Sequence, residues 1–289
     1  MNWVNAALQG ILLGGLYALL AAGLSLTFGV MRIVNLAHGA LAVLGAYVGL
    51  VVVQHTGMNP FLALLAVVPI MAGLGYLLQL GVFNRALDSG GLAPLLAAFG
   101  LAVVIAQALQ IGFTADSRSL PVGDLSIASI QVGQSLAIGV LPLLILATAV
   151  VVIVALQMLL ARTALGRAMR ATSDDPQVVQ LMGMDPHRVY AVASAVALGT
   201  VGLAGMFSGM RGNFDPNYGQ AMLIFAFEAV IIGGLGSLWG TFVGAEVLAV
   251  AQTLGGQLNP SYGVLVGHLV FLVILAFRPS GLLPKVVTA

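Results

Sequence analysis

Four ionisable residues interrupt the apolar runs of this sequence: His38, Glu228, Glu246 and His268. At the centre of a hydrocarbon layer such a group costs about 2.5–3.5 kcal/mol, so each needs a polar partner or a wet surface. The chemistry open to them is proton exchange or contact with a polar solute. Asn35 precedes His38 by three positions, which would set both on one side of a helix starting near Asn35. Glu228 stands just ahead of a glycine-rich stretch at 233–240. A helix break there leaves backbone groups unpaired unless they line a cavity or meet protein. Asn35, His38 and Glu228 are therefore the candidates for lining a solute pathway, with a structural hydrogen bond the other reading for Glu228. Glu246 and His268 read as structural polar groups.

Catalytic chemistry finds little to work with. A phosphate-cradling nucleotide loop needs a glycine-rich turn ending in Lys-Ser or Lys-Thr, and the one lysine, Lys285, is followed by Val286. No His-Glu-x-x-His or Gly-x-Ser-x-Gly pattern occurs. The histidines at 38, 55, 187 and 268 lack metal-ligand spacing, and cysteine is absent. The sequence thus implies no enzyme, metal or cofactor. A net charge of +1 offers no field to recruit nucleic acid.

What must position the candidates is a membrane bundle. Only 7% of the 289 residues are charged and 60% are hydrophobic, against roughly a quarter charged in soluble domains. Mean hydropathy is +1.10. The solvent for most of this chain is lipid. A crossing helix needs about 20 apolar residues, and the charge-free stretches supply 6–28, 37–54, 60–83, 92–113, 138–161, 189–210, 222–238, 240–256 and 261–277. The fold class is all-α, a polytopic bundle of eight or nine segments in one domain over 1–289. The two segments flanking 233–240 are either full crossings or half-helices meeting inside the membrane. The N-terminus lacks the positive charges of a cleavable leader, so the first segment is expected to stay. Small residues four apart, as at Gly10/Gly14, Gly45/Gly49 and Gly205/Gly209, suit close helix packing.

Sidedness follows from basic residues. With the arginine-rich loop 162–188 inside, nine segments put eight of the ten basic residues inside and leave Arg118 and Arg211 outside. The N-terminus is then outside and the C-terminus cytoplasmic.

Loop 162–188 carries its own helix punctuation. Asp175 suits an N-cap, Pro176 the first helical position and Gly183 the C′ position. Between them lies a helix of about two turns with Val178, Leu181 and Met182 on one face. So short a helix is marginal alone in water. It is either a docking element for a cytoplasmic partner or a solvated loop with its arginines inside.

Four ordered stretches carry a family resemblance: 23–39 (GLSLTFGVMRIVNLAHG), 166–183 (GRAMRATSDDPQVVQLMG), 230–237 (VIIGGLGS) and 277–282 (FRPSGL). Together they resemble the permeases of branched-chain amino-acid ABC importers, in the short "H" form, across nearly the whole chain. The resemblance implies a bacterial inner-membrane subunit that pairs with a homologous second permease. It further implies two cytoplasmic ATPase subunits and a soluble extracytoplasmic binding protein. Residues 175–182 would be the ATPase-coupling helix, with Arg167, Arg170, Asp174, Asp175, Val178, Leu181, Met182 and Gly183 as its contact set. Loops 114–137 and 212–221 would meet the binding protein. Gln177 and Val179 depart from the acidic residue and alanine that the family leads one to expect. Members usually have about eight spans, so a merged or re-entrant segment at 233–240 is the expected difference. Relatives for urea and short amides leave the solute open. From a different class, an ion-coupled secondary transporter would need carboxylates clustered near the midplane, and a scaffold protein would give the capped loop helix no purpose.

Overall fold

In lipid each backbone N–H and C=O must find a partner within the protein, and for a single segment the helix is the solution. The Leu-, Ala-, Val- and Gly-rich runs accordingly become helices. The computed structural model describes residues 3–132 and 136–283. Lys285 and part of loop 114–137 lie outside the described residues.

The elements in chain order are α1 (Trp3–Met31), α2 (His38–Thr56), α3 (Pro60–Leu78), a π-helical turn (Gln79–Phe83) and α4 (Asn84–Ser89). Then follow α5 (Ala93–Phe113), a hairpin of β1 (Ser129–Val132) with β2 (Leu136–Gly139), and α6 (Val140–Arg162). The remainder is α7 (Ala164–Asp174), α8 (Pro176–Leu181), α9 (Pro186–Arg211), α10 (Gly219–Gly233), α11 (Leu238–Leu258) and α12 (Tyr262–Phe277). Among the described residues, seven helices are long and apolar enough to cross a membrane, counting Pro60–Ser89 as one. Two apolar helices, α10 and α12, are shorter. The chain is an all-α polytopic bundle, as composition and spacing lead one to expect.

Several boundaries differ from the sequence reading. The third segment continues to Ser89 through the π turn. A buried polar chain accompanies that turn: Gln79 Nε2 donates to Asn84 Oδ1 (2.9 Å) and Ser194 Oγ donates to Gln79 Oε1 (2.6 Å). The segments expected at 222–238 and 240–256 are observed as Gly219–Gly233 and Leu238–Leu258. At 15 residues α10 is about 22 Å long, shorter than the roughly 30 Å hydrocarbon layer. The 21 residues of α11 reach about 31 Å. The pair is one short segment and one full-length helix.

Helices α1, α2, α9 and α11 form the core, while α3, α5, α6 and α12 leave large apolar side chains exposed on the periphery. Glycines set the closest approaches. A Cβ on Gly205 would overlap the carbonyl oxygen of Ala42, so α2 and α9 touch backbone to backbone. Contacts sort the loops to two ends. Ser173 Oγ donates to Gly29 O (2.8 Å) and His187 lies 3.4 Å from Asp88, gathering the ends of α1, α4, α7 and α9 at an arginine-rich face. At the opposite face Arg118 and Phe214 exchange backbone hydrogen bonds of 2.8 Å.

Substituting Gly205→Val should separate α2 from α9 at a cost of about 1–3 kcal/mol or more. Gly73→Ala, with nothing within 4 Å, should be neutral or gain up to about 1 kcal/mol. Thermal unfolding of the purified protein in detergent checks both, and equal midpoints for the two variants would refute the packing assignment.

Candidate functional site

The four stretches singled out in the sequence meet at the arginine-rich face. Helix α1 ends at Arg32, whose φ of 55° is the left-handed region. Its N–H closes on Phe28 O at 2.9 Å, and a side chain there costs about 1–2 kcal/mol. Ser173 of the arginine-rich loop donates to Gly29, and Gly29 faces Gly236 so closely that an added Cβ would lie 3.4 Å from its Cα. The last carbonyls of α10 are taken up by the 277–282 stretch and its neighbour: Leu282 N donates to Ile232 O (2.8 Å) and Leu283 N to Gly233 O (3.0 Å). Ser237 Oγ then caps α11 by accepting from Gly240 N at 3.1 Å. A cavity of about 230 Å³ opens here, lined in part by Gly29, Gln157, Met169, Arg170, Gly236 and Trp239.

The arginine-rich loop is two helices where the sequence reading gives one. Thr163 caps α7 by accepting from Gly166 N at 3.0 Å, and Met169 and Thr172 are buried beneath it. Arg167 and Asp174 are exposed, and Arg170 is half-buried beside the cavity. Asp175 caps α8 as its type predicts, accepting from Gln177 N (2.8 Å) and Val178 N (3.2 Å). Gly183 closes α8 at φ 80°, with Gly183 N on Gln180 O and Met184 N on Val179 O at 2.9 and 3.2 Å, a Schellman motif. Val179 turns inward, while Val178, Leu181 and Met182 are 49%, 88% and 69% exposed. The end of α8 presents an apolar knob to water.

The candidate pathway residues are not brought together. α2 begins at His38 rather than near Asn35, so the two do not share a helix face. Asn35 precedes it and satisfies its first turn, with Oδ1 accepting from Ala37 N (2.9 Å) and its carbonyl from His38 N (3.1 Å). It borders a void of about 10 Å³, too little for a solute. His38 is fully buried, with Nε2 2.7 Å from Leu20 O. Both side chains are directed into the protein: that of Asn35 serves the break at 32–37, and that of His38 ties the start of α2 to α1. Leu20 lies 11 residues before the end of α1, about 16 Å in depth. The chain therefore folds back along α1 before α2 begins. Glu228 is buried and pairs with His268 Nδ1 at 2.5 Å, beside a Tyr17–Phe225–His268 ring series with centroids 5.1 and 6.3 Å apart. Glu246, read as a structural polar group, has no hydrogen-bond partner on either oxygen among the described residues, and its carboxyl fills the space over Gly14.

At the opposite face the two loops expected to act together are joined. Besides the Arg118–Phe214 bridge, Leu120 N donates to Gly209 O (2.8 Å). Tyr47 packs on Phe113 and Phe214 with centroids 4.6 and 5.0 Å away.

The family described as "Branched-chain amino acid transport system / permease component" matches residues 6–275. The chain belongs to this family. It is a multi-pass membrane permease subunit, similar over its whole length to named transport components. It is 26% identical to the high-affinity branched-chain amino acid transport system permease protein BraD of Pseudomonas aeruginosa, over 98% of this chain and 96% of that protein. It is 25% identical to the permease protein LivH of Escherichia coli K12, over 99% and 96%. A shorter match, 31% identical over 43% of this chain and 30% of the other, is to the permease protein LivM of the same organism. Among solved structures it resembles "PsaBC from Streptococcus pneumoniae in complex with Fab" at a TM-score of 0.51 and 14% identity, covering 97% and 93% of the two chains. That likeness concerns the fold.

Two features of this permease go beyond the residue set drawn from the sequence. Helix α7, with Met169 and Ser173, was legible in Thr163 as a cap and in Leu165, Ala168, Met169 and Thr172 at three- and four-residue spacing. Trp239 at the cavity had no local signal. Replacing Asp175→Ala removes both accepted bonds and should cost α8 about 1 kcal/mol. Hydrogen exchange at the Gln177 and Val178 amides should then accelerate about fivefold; an unchanged rate would show that the cap contributes nothing.

Proposed function

We propose that this chain forms half of the translocation path of an ATP-driven importer for branched-chain or other hydrophobic amino acids. It carries no catalysis of its own. In this reading the arginine-rich face is cytoplasmic, the chain sits in a bacterial inner membrane and its C-terminus is inside. Basic residues concentrated at one face support that orientation. A homologous second permease supplies the other half, two ATPase subunits dock on the cytoplasmic side, and a soluble binding protein delivers solute to the joined loops 114–137 and 212–221. The named relatives support the amino-acid assignment.

The observation that carries the reading is the exposed knob of Val178, Leu181 and Met182. It sits on a helix fixed at both ends and tied through α7 and Ser173 to the end of α1. Burying a Leu-sized side chain contributes about 1.5–3 kcal/mol, so the knob suits a groove on an ATPase. Arg167, Arg170, Asp174 and Asp175 surround or support it, and Gly183 lets the chain leave it. A displacement of α8 reaches the break at 32–37 through α7. Asn35 and His38 hold that break, and Glu228 braces α10 against α12. Their part in transport is thus to shape the wall from behind.

An ion-coupled carrier has one observation in its favour, the pairing of buried Glu228 with half-buried His268. Uptake by proteoliposomes separates the two readings. With both permeases, the ATPases and the binding protein present, amino-acid uptake should require ATP. Leu181→Asp combined with Met182→Asp should lower it more than about tenfold. Uptake by the lone subunit under a proton or sodium gradient, without nucleotide, would favour the carrier. Unchanged ATP-driven uptake in the double variant would remove α8 from the mechanism.

A further inference from the structure

The permease reading leaves open where the solute passes beyond loop 212–221, and one groove that begins at that loop has the chemistry for it. It lies between the start of α2, the middle of α5 and the start of α10, with a volume of about 370 Å³. That is within the usual range of small-molecule sites. Leu36, Ala40, Phe99, Val103 and Leu223 make it apolar, while Asn217 and Gln220 place two amides on its wall. Both amide residues are exposed. Among the described residues neither side chain has a hydrogen-bond partner, their bonds running through backbone nitrogens. Amides facing pure hydrocarbon would be costly, so lipid tails are a poor occupant. An apolar wall joined to free amides matches a molecule with one greasy and one polar end.

The groove also explains the break at 32–37. Non-helical backbone at membrane depth persists where it is enclosed by protein or borders a wet cavity. Residues 32–37 do both: Asn35 faces protein, and its neighbour Leu36 faces the groove. From Phe99 to Ala106, α5 contributes about 10 Å of wall along its helix axis.

We propose that this groove is the chain's half of the passage and takes an α-amino acid with an apolar side chain, the side chain against Phe99 and Val103 and the charged end toward Asn217 and Gln220. The inference rests on the permease reading, and the second permease closes the open side.

The chain contains no cysteine, so label incorporated into this subunit, separated from its partners after reaction, reports single replacements alone. In the assembled complex, Val103→Cys and Gln220→Cys should react with an anionic methanethiosulfonate about a hundredfold faster than Leu65→Cys on the exposed face of α3, since a charged reagent enters hydrocarbon poorly. Saturating leucine should slow both. Ala106→Trp should cut leucine uptake more than about tenfold while ATP hydrolysis stimulated by the binding protein persists. Labelling of Val103→Cys no faster than Leu65→Cys, or parental uptake by Ala106→Trp, would overturn the assignment. A parent complex without ATP-driven amino-acid uptake would instead overturn the permease reading, and this inference with it. Parental transport with lipid-like labelling at Val103→Cys would sink the groove alone.

Discussion

Hydrogen-bond accounting in the absence of water governs this structure. Wherever a helix is interrupted, freed backbone groups must be met by other parts of the protein. The entry to α2 is met by Asn35, the exit of α10 by Leu282 and Leu283, and the entry to α11 by Ser237. The π turn after α3 is accompanied by buried Gln79, Asn84 and Ser194. The exit of α10 and the π turn each fix a second segment beside them, residues 282–283 and α9. The interruptions near the arginine-rich face consequently form one connected assembly.

That assembly gives the coupling idea its physical content. A force on α8 acts on a helix closed by Asp175 and by a Schellman motif. It passes to α7, whose buried Met169 and Ser173 hold it to the bundle, and on to the end of α1. Beyond Gly29 lies the stretch 32–37, whose far side borders the groove. Packed, hydrogen-bonded elements transmit displacement because interiors are dense and have few alternative arrangements. The exposed periphery of α3, α5 and α12 has no such constraint within the single chain.

Polar residues within the bundle divide by what surrounds them. Tyr17 donates to Gln252 Oε1 at 2.7 Å, and Glu228 meets His268; these are internal ties. Among the described residues, the side chains of Asn217 and Gln220 have no such tie, and both residues line the groove. Ionisability within an apolar run drew attention to His38 and Glu228, and spacing from His38 drew it to Asn35. A passage, however, needs polar groups that remain available, and residues already occupied by internal hydrogen bonds are less suited to contacting solute.

The sequence alone determined the solvent, the all-α class, the approximate course of the apolar segments, and both caps of α8. These follow from local rules: hydropathy, the length of a helix in lipid, and the preferences of Asp, Pro and Gly at helix ends. The family was legible in four short stretches for the same reason, since each carries its own local pattern. What those stretches do for one another was decided by tertiary structure. Gly29 meeting Gly236, Leu282 completing α10, Glu228 pairing with His268 and the groove beside α5 all join residues far apart in the chain. No periodicity encodes such pairings, because they depend on which helix packs against which and at what depth.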